Sequence, residues 1–426
     1  MSRAGARWPV CIGLLLVLVG CTTTIDHQVA VRPSPAGSPG PVPSMSSVLP
    51  STIATSGGGD APKATAPPVL PWPQPPAAAL PASRAHRLQA AVQRIAEVAA
   101  AAGMQGITAA VVSAQGSWTG AVGVDGAGVS LVPEAMMGIG EATDTVTAAE
   151  VLVLAQAGRI DLDAPLSRYL ESPLLSRGPT VRQALSHTSG IPDFLTQSLM
   201  NAIKADPTRS WTAEQALNLA PDLITQTGLP FRLSMSNYLM LGMLIEKITG
   251  LGYAAAVQRD LLSGNGDGRM VVQDAQLPGP PLAAPDRSDG VVPDGHFVPN
   301  RAIASSAGAA GGIAADALTL ARWGYRLYGG LVLSPDWTAA MSTPITEQYG
   351  LGTFIVGDGP QGAPDARLTG IGAIGHPGLV FPGYQALLLV IPDDQLSVSV
   401  LTIAPGTVGS TEAPVIVADI LDVMRS

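Results

Sequence analysis

The sequence predicts an α/β (α+β) domain: an antiparallel sheet built from both chain ends, flanked by helices, with a mostly helical region inserted at roughly 145–345. Two observations carry this expectation. Strand-like apolar runs fall in two groups far apart, Ile107 to Val112 with Trp118 to Val124, and Tyr349 to Val356, Tyr384 to Ile391 and Leu396 to Ile403. Between the groups, apolar residues recur at helical spacing and the segments end in glycine.

In chain order, Arg3 and Arg7 precede the apolar run Val10 to Gly20, so residues 1–20 have the charged and hydrophobic regions of a secretory signal and are short for a bilayer span. The run ends in Leu18-Val19-Gly20-Cys21, similar to a bacterial lipoprotein cleavage box; Cys21 would then be lipidated and Cys11 lost. A plain secretory signal with an incidental cysteine is the other reading. Residues 21–83 are expected to be a Pro-rich disordered tether, because fourteen prolines between Pro33 and Pro81 leave few large apolar side chains to offset ordering. The folded domain, 84–426, is expected to begin with a helical face of Leu88, Val92, Ile95 and Val98, closed by Gly103. Ala114-Gln115-Gly116 suits the hairpin joining the first two strands. Helices follow at Ala148 to Gln156, Ser236 to Ile248 and Asp316 to Leu327, and a last one at Val415 to Met424. The Pro-, Asp- and Gly-rich stretch Pro278 to Pro299 is expected to be a loop over the body.

Composition excludes several functions. A net charge of −9 with only Lys63, Lys204 and Lys247 as lysines leaves no basic stripe for phosphates, so no nucleic acid partner is expected. Two cysteines and the scattered His27, His86, His187, His296 and His376 offer neither a disulfide framework nor metal-ligand spacing, so no metal or cofactor is expected. Gly264-Asn265-Gly266-Asp267-Gly268 lacks calcium-loop spacing and is read as a surface turn. No G-x-S-x-G elbow occurs, which weakens an α/β-hydrolase reading.

The chain from Thr180 to Pro192 includes Leu185-Ser186-His187-Thr188-Ser189-Gly190-Ile191-Pro192, similar to the "LLSHTSGLP" segment of the serine beta-lactamase-like and penicillin-binding-like superfamily, which holds class C beta-lactamases, carboxypeptidases and esterases. Ala157 to Leu166 resembles its "EGKLDLDDPV" helix exit, Gly308 to Asp316 its "AGGLxSTAxD" turn, and Tyr349-Gly350-Leu351-Gly352 its "YGLGW" strand. Gly375-His376-Pro377-Gly378 with Pro382-Gly383-Tyr384 is similar to "GHTGGTPGY". The resemblance spans Gly106 to Ile403 and implies a beta-lactamase/penicillin-binding-like fold.

It also implies a Ser-x-x-Lys pair, in which one helical turn brings an amine beside the nucleophilic hydroxyl. Here the corresponding segment is Ile139-Gly140-Glu141-Ala142-Thr143-Asp144, so Glu141 stands for the serine and Asp144 for the lysine, and no Ser-x-x-Lys occurs anywhere in the chain. The plainest reading is that both acids favour a helix start by interacting with its free amides and dipole. Two others remain open: a carboxylate acid/base pair, or a Glu141 side chain that fills and blocks the former carbonyl pocket. The Tyr-x-Asn motif corresponds to Leu233-Ser234-Met235 or, shifted by two, to Met235-Ser236-Asn237, which recovers the asparagine but no tyrosine. The third motif keeps His376 and Gly378, with Pro377 tolerable only at a strand edge or end.

The cleft or binding candidates are therefore Ser234, Asn237, His376 and Gly378, with Ser186 to Ser189 expected to be structural. The expected function is that of an exported pseudoenzyme, lipid-anchored through Cys21 at the extracytoplasmic face of the cell membrane. Its cleft would bind a cell-envelope small molecule, a peptidoglycan-like ligand or a partner protein. The competing expectation is a hydrolase using Glu141, Asp144 and His376.

Overall fold

The structure, a computed structural model, describes residues 71–426 except 222–226, 229, 264–267, 274, 289, 291, 347, 357–364, 381–382 and 407. The signal-like run, Cys21, the tether up to residue 70, Gly264 to Asp267 and Pro382 lie outside the described residues. The strands are β1 (Gly106–Ser113), β2 (Gly116–Gly123), β3 (Met137–Gly138), β4 (Met270–Val272), β5 (Ile313–Ala315), β6 (Phe354–Val356), β7 (Ala373–Val380), β8 (Tyr384–Ile391) and β9 (Leu396–Ile403). Six of them form an antiparallel sheet in the order β2-β1-β9-β8-β7-β6, and β3-β5-β4 form a small second sheet. Helix α1 (Ala82–Ala99) opens the body and Val408–Arg425 closes it.

The sheet joins the chain ends because β1 and β9 pair over their full lengths, from Gly106↔Ile403 to Ser113↔Leu396. Side chains alternate between two cores, as a two-residue period requires. Ile107, Ala109, Val111, Leu389, Val398 and Val400 pack with Leu88, Val92, Ile416 and Ile420 on one face. Ala110, Val112, Leu388, Val390 and Leu401 pack on the other with Trp323 of the helix Ala317–Tyr328. Strands covered on both faces read as continuous apolar runs, which is why β1, β8 and β9 are legible in the sequence.

Four expectations shift. Helix α2 (Asp144–Gln156) begins four residues before Ala148, with polar Thr145 and Thr147 taken into the core. Of the strand expected at Tyr349 to Val356, only Phe354–Val356 forms, and Tyr349 sits in an isolated bridge. The helix at Val415 to Met424 extends back to Val408 and accommodates Pro414. The body begins earlier than residue 84: Trp72 is 6% exposed, its N–H donates to Gly329 O at 2.8 Å, and its ring meets Tyr325 edge-on at 4.9 Å. Further along, Leu80 is buried and its N–H donates to Ser117 O at 2.8 Å, so the last stretch of the Pro-rich segment is held at two places.

The Pro278 to Pro299 stretch contains no helix or strand among its described residues, as expected of a loop. It lies against the sheet end, where the Tyr384 hydroxyl donates to Ala283 O.

The catalytic-position segment is set by the small sheet. Ile139 N–H donates to Ile313 O at 3.0 Å, and a 3-10 turn, Gly140–Thr143, then leads into α2 directly against β7. Two glycines permit this approach. A Cβ on Gly378 would lie 1.8 Å from Ile139 O, and one on Gly140, whose φ is +52°, would lie 2.5 Å from Leu379 N.

Candidate functional site

Glu141 and Asp144 do share one face of a helix start, yet neither side chain caps it. Glu141 is half-buried and its Oε2 accepts the backbone N–H of Leu379, in β7, at 2.6 Å. Burial pushes the Glu141 carboxyl up to about 7; backbone N–H groups, that of Leu379 foremost, oppose that rise, and Asp193 adds to it.

Asp144 is 1% exposed and faces two imidazoles, with Oδ2 at 3.5 Å from His187 Nε2 and 3.9 Å from His376 Nε2. Its Oδ1 has no hydrogen-bond partner. Burial, then the charges of Glu141 and Asp193, hold its carboxyl well above the usual carboxylate range. Burial, then His376, lowers His187 to about 3, and burial lowers His376 to about 4. Burial thus favours the uncharged form of all three groups, a carboxyl set between two imidazoles, because an unscreened buried charge costs more than it recovers.

The hydrogen bonds assign the tautomers. Nδ1 of His187 accepts the Ser234 N–H at 3.2 Å and faces Asn237 Nδ2 at 3.2 Å, which leaves its proton on Nε2, toward Asp144. Nδ1 of His376 faces the Pro377 carbonyl at 2.6 Å and donates to it, so Nε2 accepts the Tyr349 hydroxyl at 3.0 Å. His187 itself lies at a φ of +54°, an uncommon region for a non-glycine residue, secured by the Arg232 N–H on its carbonyl at 3.0 Å. Tyr349 packs against His187, Phe231 and Phe354 at 4.6–5.2 Å between ring centroids.

Of the sequence candidates, the structure gathers Ser234, Asn237 and His376 around Asp144 and His187, as buried supports and not as open cleft walls. Asn237 is 1% exposed, with its Oδ1 accepting the Ser189 hydroxyl at 2.5 Å. Ser234 is 2% exposed and its Oγ has no partner. Gly378 seals β7 onto the turn before α2. Pro377 lies beyond the last β6 rung, Phe354↔Gly375, where β7 has lost its neighbour on that side, in keeping with the edge placement a proline requires. Sequence reasoning missed the Leu379 amide and the Tyr349 phenol, and it took His187 as merely structural. Leu379 donates through its backbone and so leaves no residue-type signal; its signal is its place just after the His376 to Gly378 motif.

The two threonines beside Glu141 and Asp144 do not replace the missing serine. Thr143 Oγ1 accepts the Ile313 N–H at 3.4 Å, and Thr145 Oγ1 donates to Ala142 O at 2.8 Å while accepting Trp323 Nε1 at 2.9 Å, so both hydroxyls are engaged in the core. Among the described residues no group of three or more His, Cys, Asp or Glu side chains is placed to hold a metal ion. The His187 ring is also unsuited to one, since its lone pair is committed to Ser234 N–H.

A sheet closed by both chain ends, with a helix start pressed against β7, is the architecture of the beta-lactamase/penicillin-binding-like fold. The family described as Beta-lactamase matches residues 91–421, and the chain belongs to that family. Its fold is similar to that of D-amino acid amidase from Ochrobactrum anthropi SV3, with 18% identity, TM-score 0.65, and 79% of this chain and 98% of that one covered. It is also similar to a D-stereospecific amidohydrolase from Streptomyces sp., with 25% identity, TM-score 0.62, and 76% and 97% covered. The octameric penicillin-binding protein homologue from Pyrococcus abyssi matches with 21% identity, TM-score 0.61, and 79% and 77% covered.

Proposed function

We propose that this protein is a catalytically inactive member of the beta-lactamase family, exported and lipid-anchored through Cys21 at the extracytoplasmic face of the cell membrane. Its former catalytic region serves binding of a cell-envelope small molecule, a peptidoglycan-like ligand or a partner protein. One observation carries the inactive reading. Where an amine would activate a hydroxyl stands Asp144, a carboxyl buried beside two imidazoles whose burial disfavours the ionised form, and a carboxyl so placed is a poor acceptor for a nucleophile's proton. The lipid anchor rests on the Leu18-Val19-Gly20-Cys21 sequence alone.

A second reading, a hydrolase using Glu141, Asp144 and His376, has one observation in its favour: a Glu141 carboxyl near 7 is tuned as a general acid or base would be. Against it, Asp144 and His376 are each 1% exposed. Incubating the folded protein with a chromogenic beta-lactam and with D-amino-acid amides separates the two. The inactive reading expects no turnover above buffer; turnover abolished in Glu141→Gln would establish the hydrolase.

A further inference from the structure

A backbone N–H presented beside a catalytic position is a seat for an oxyanion of the kind that develops in acyl transfer. In this chain the N–H of Leu379 on β7 is presented to the turn before α2, which the glycines at 140 and 378 allow to approach closely. It already holds an oxyanion-like group, the Glu141 carboxyl, at 2.6 Å.

We propose that Glu141 is the chain's own ligand, an intramolecular plug in a formed anion site, and that a guest carrying a carboxylate or a similar trigonal oxyanion binds there only by displacing it. The inference deepens the inactive-cleft reading and rests on it for the view that this seat binds without reacting. Three features support displacement. The contact is local, a single side-chain bond to one backbone N–H. Glu141 is half-buried, so it sits at the rim of the packed cluster and not beneath it. The resident carboxyl is also held against a desolvation penalty that leaves it near 7, so its hold on the seat weakens the demand a competing anion must meet.

The test uses the full-length protein with acetate as the probe and chloride at equal ionic strength as the control. Hydrogen exchange of the peptide containing Leu379 is followed by mass spectrometry, together with the thermal midpoint. In wild type the Leu379 amide is protected and acetate changes neither readout. In Glu141→Ala the amide exchanges at least tenfold faster, and acetate restores the protection and raises the midpoint. Glu141→Gln keeps a carbonyl acceptor in the seat and so responds to acetate less than Glu141→Ala does; it also serves should the alanine variant fold poorly, because a weakened plug still gives acetate a measurable effect absent from wild type. Leu379 exchange that is the same in all three proteins, or variants blind to acetate, would overturn the plug. Turnover or acylation of the wild type would overturn the inactive reading instead, and the two failures are read from different measurements.

Discussion

The carboxyl of Glu141 and the backbone N–H of Leu379 meet at 2.6 Å across the junction of α2 and β7. That bond puts an acidic group into a place made of amides, and its protonation is tied to folding. Burial raises the Glu141 carboxyl from an unfolded value near 4.5 to about 7. The folded state therefore holds a proton the unfolded state has lost, and this contribution to stability is complete below 4.5 and disappears as pH rises through about 7. His187 and His376 act in the opposite sense, since their folded values of about 3 and about 4 lie below the ordinary 6.5 and their contribution is lost as pH falls through that window. The Glu141 share is isolated by difference. Wild type minus Glu141→Gln, by urea denaturation from pH 5 to 8.5, should lose stability as pH rises; a flat or rising difference would show the carboxyl is not perturbed.

Asp144 provides a sharper test of charge state. If it is protonated, Asp144→Asn replaces one neutral group by another of the same shape, and stability at pH 7 should stay within about 1 kcal/mol of wild type. Were Asp144 ionised and paired with a charged imidazole, the same substitution would strand a buried cation and cost about 3–5 kcal/mol.

Trp72 should matter although it lies at the edge of the Pro-rich segment. Trp72→Ala removes an indole packed on Tyr325 and Gly329 and is expected to cost about 3 kcal/mol. A chain starting at Ala82 should melt lower than one starting at Pro71, and equal midpoints would place the boundary at the helix.

Gly378→Ala tests the closeness of β7 to the turn before α2. A Cβ there would lie 1.8 Å from Ile139 O and 2.9 Å from Ala142 N, so backbone must move. Circular dichroism and solubility should show severe loss of the folded state, whereas Gly268→Ala, where a Cβ meets nothing within 4 Å, should be silent.

How much of this was legible follows from what each residue's signal rests on. β8 and β9 were readable to the residue because both faces of each strand are buried, and the runs are therefore apolar throughout. The loss of the Ser-x-x-Lys pair was legible because it concerns residue types at fixed spacing. Glu141 and Asp144 do stand in first turns, as expected, but position along a helix says nothing of what packs over it; here β7 does, and the acids also meet an amide and two imidazoles. Tyr349 and His187 were hidden for another reason: they lie in loops whose conformations depend on partners remote in the chain, Ser234 for His187 and, more than a hundred residues away, Phe231 for Tyr349. Trp72 was hidden by its prolines, which argue for disorder until a pocket for the indole is seen.

The central claim is that the catalytic region is disarmed. The measurement that addresses it most directly is the intact mass of the folded protein after exposure to a beta-lactam panel and a fluorophosphonate, with peptide mapping of any modified species. The account predicts an unchanged mass on protein shown to be folded. A one-to-one adduct would contradict it, and would name the nucleophile at work, with the buried and unpartnered hydroxyl of Ser234 the first place to look.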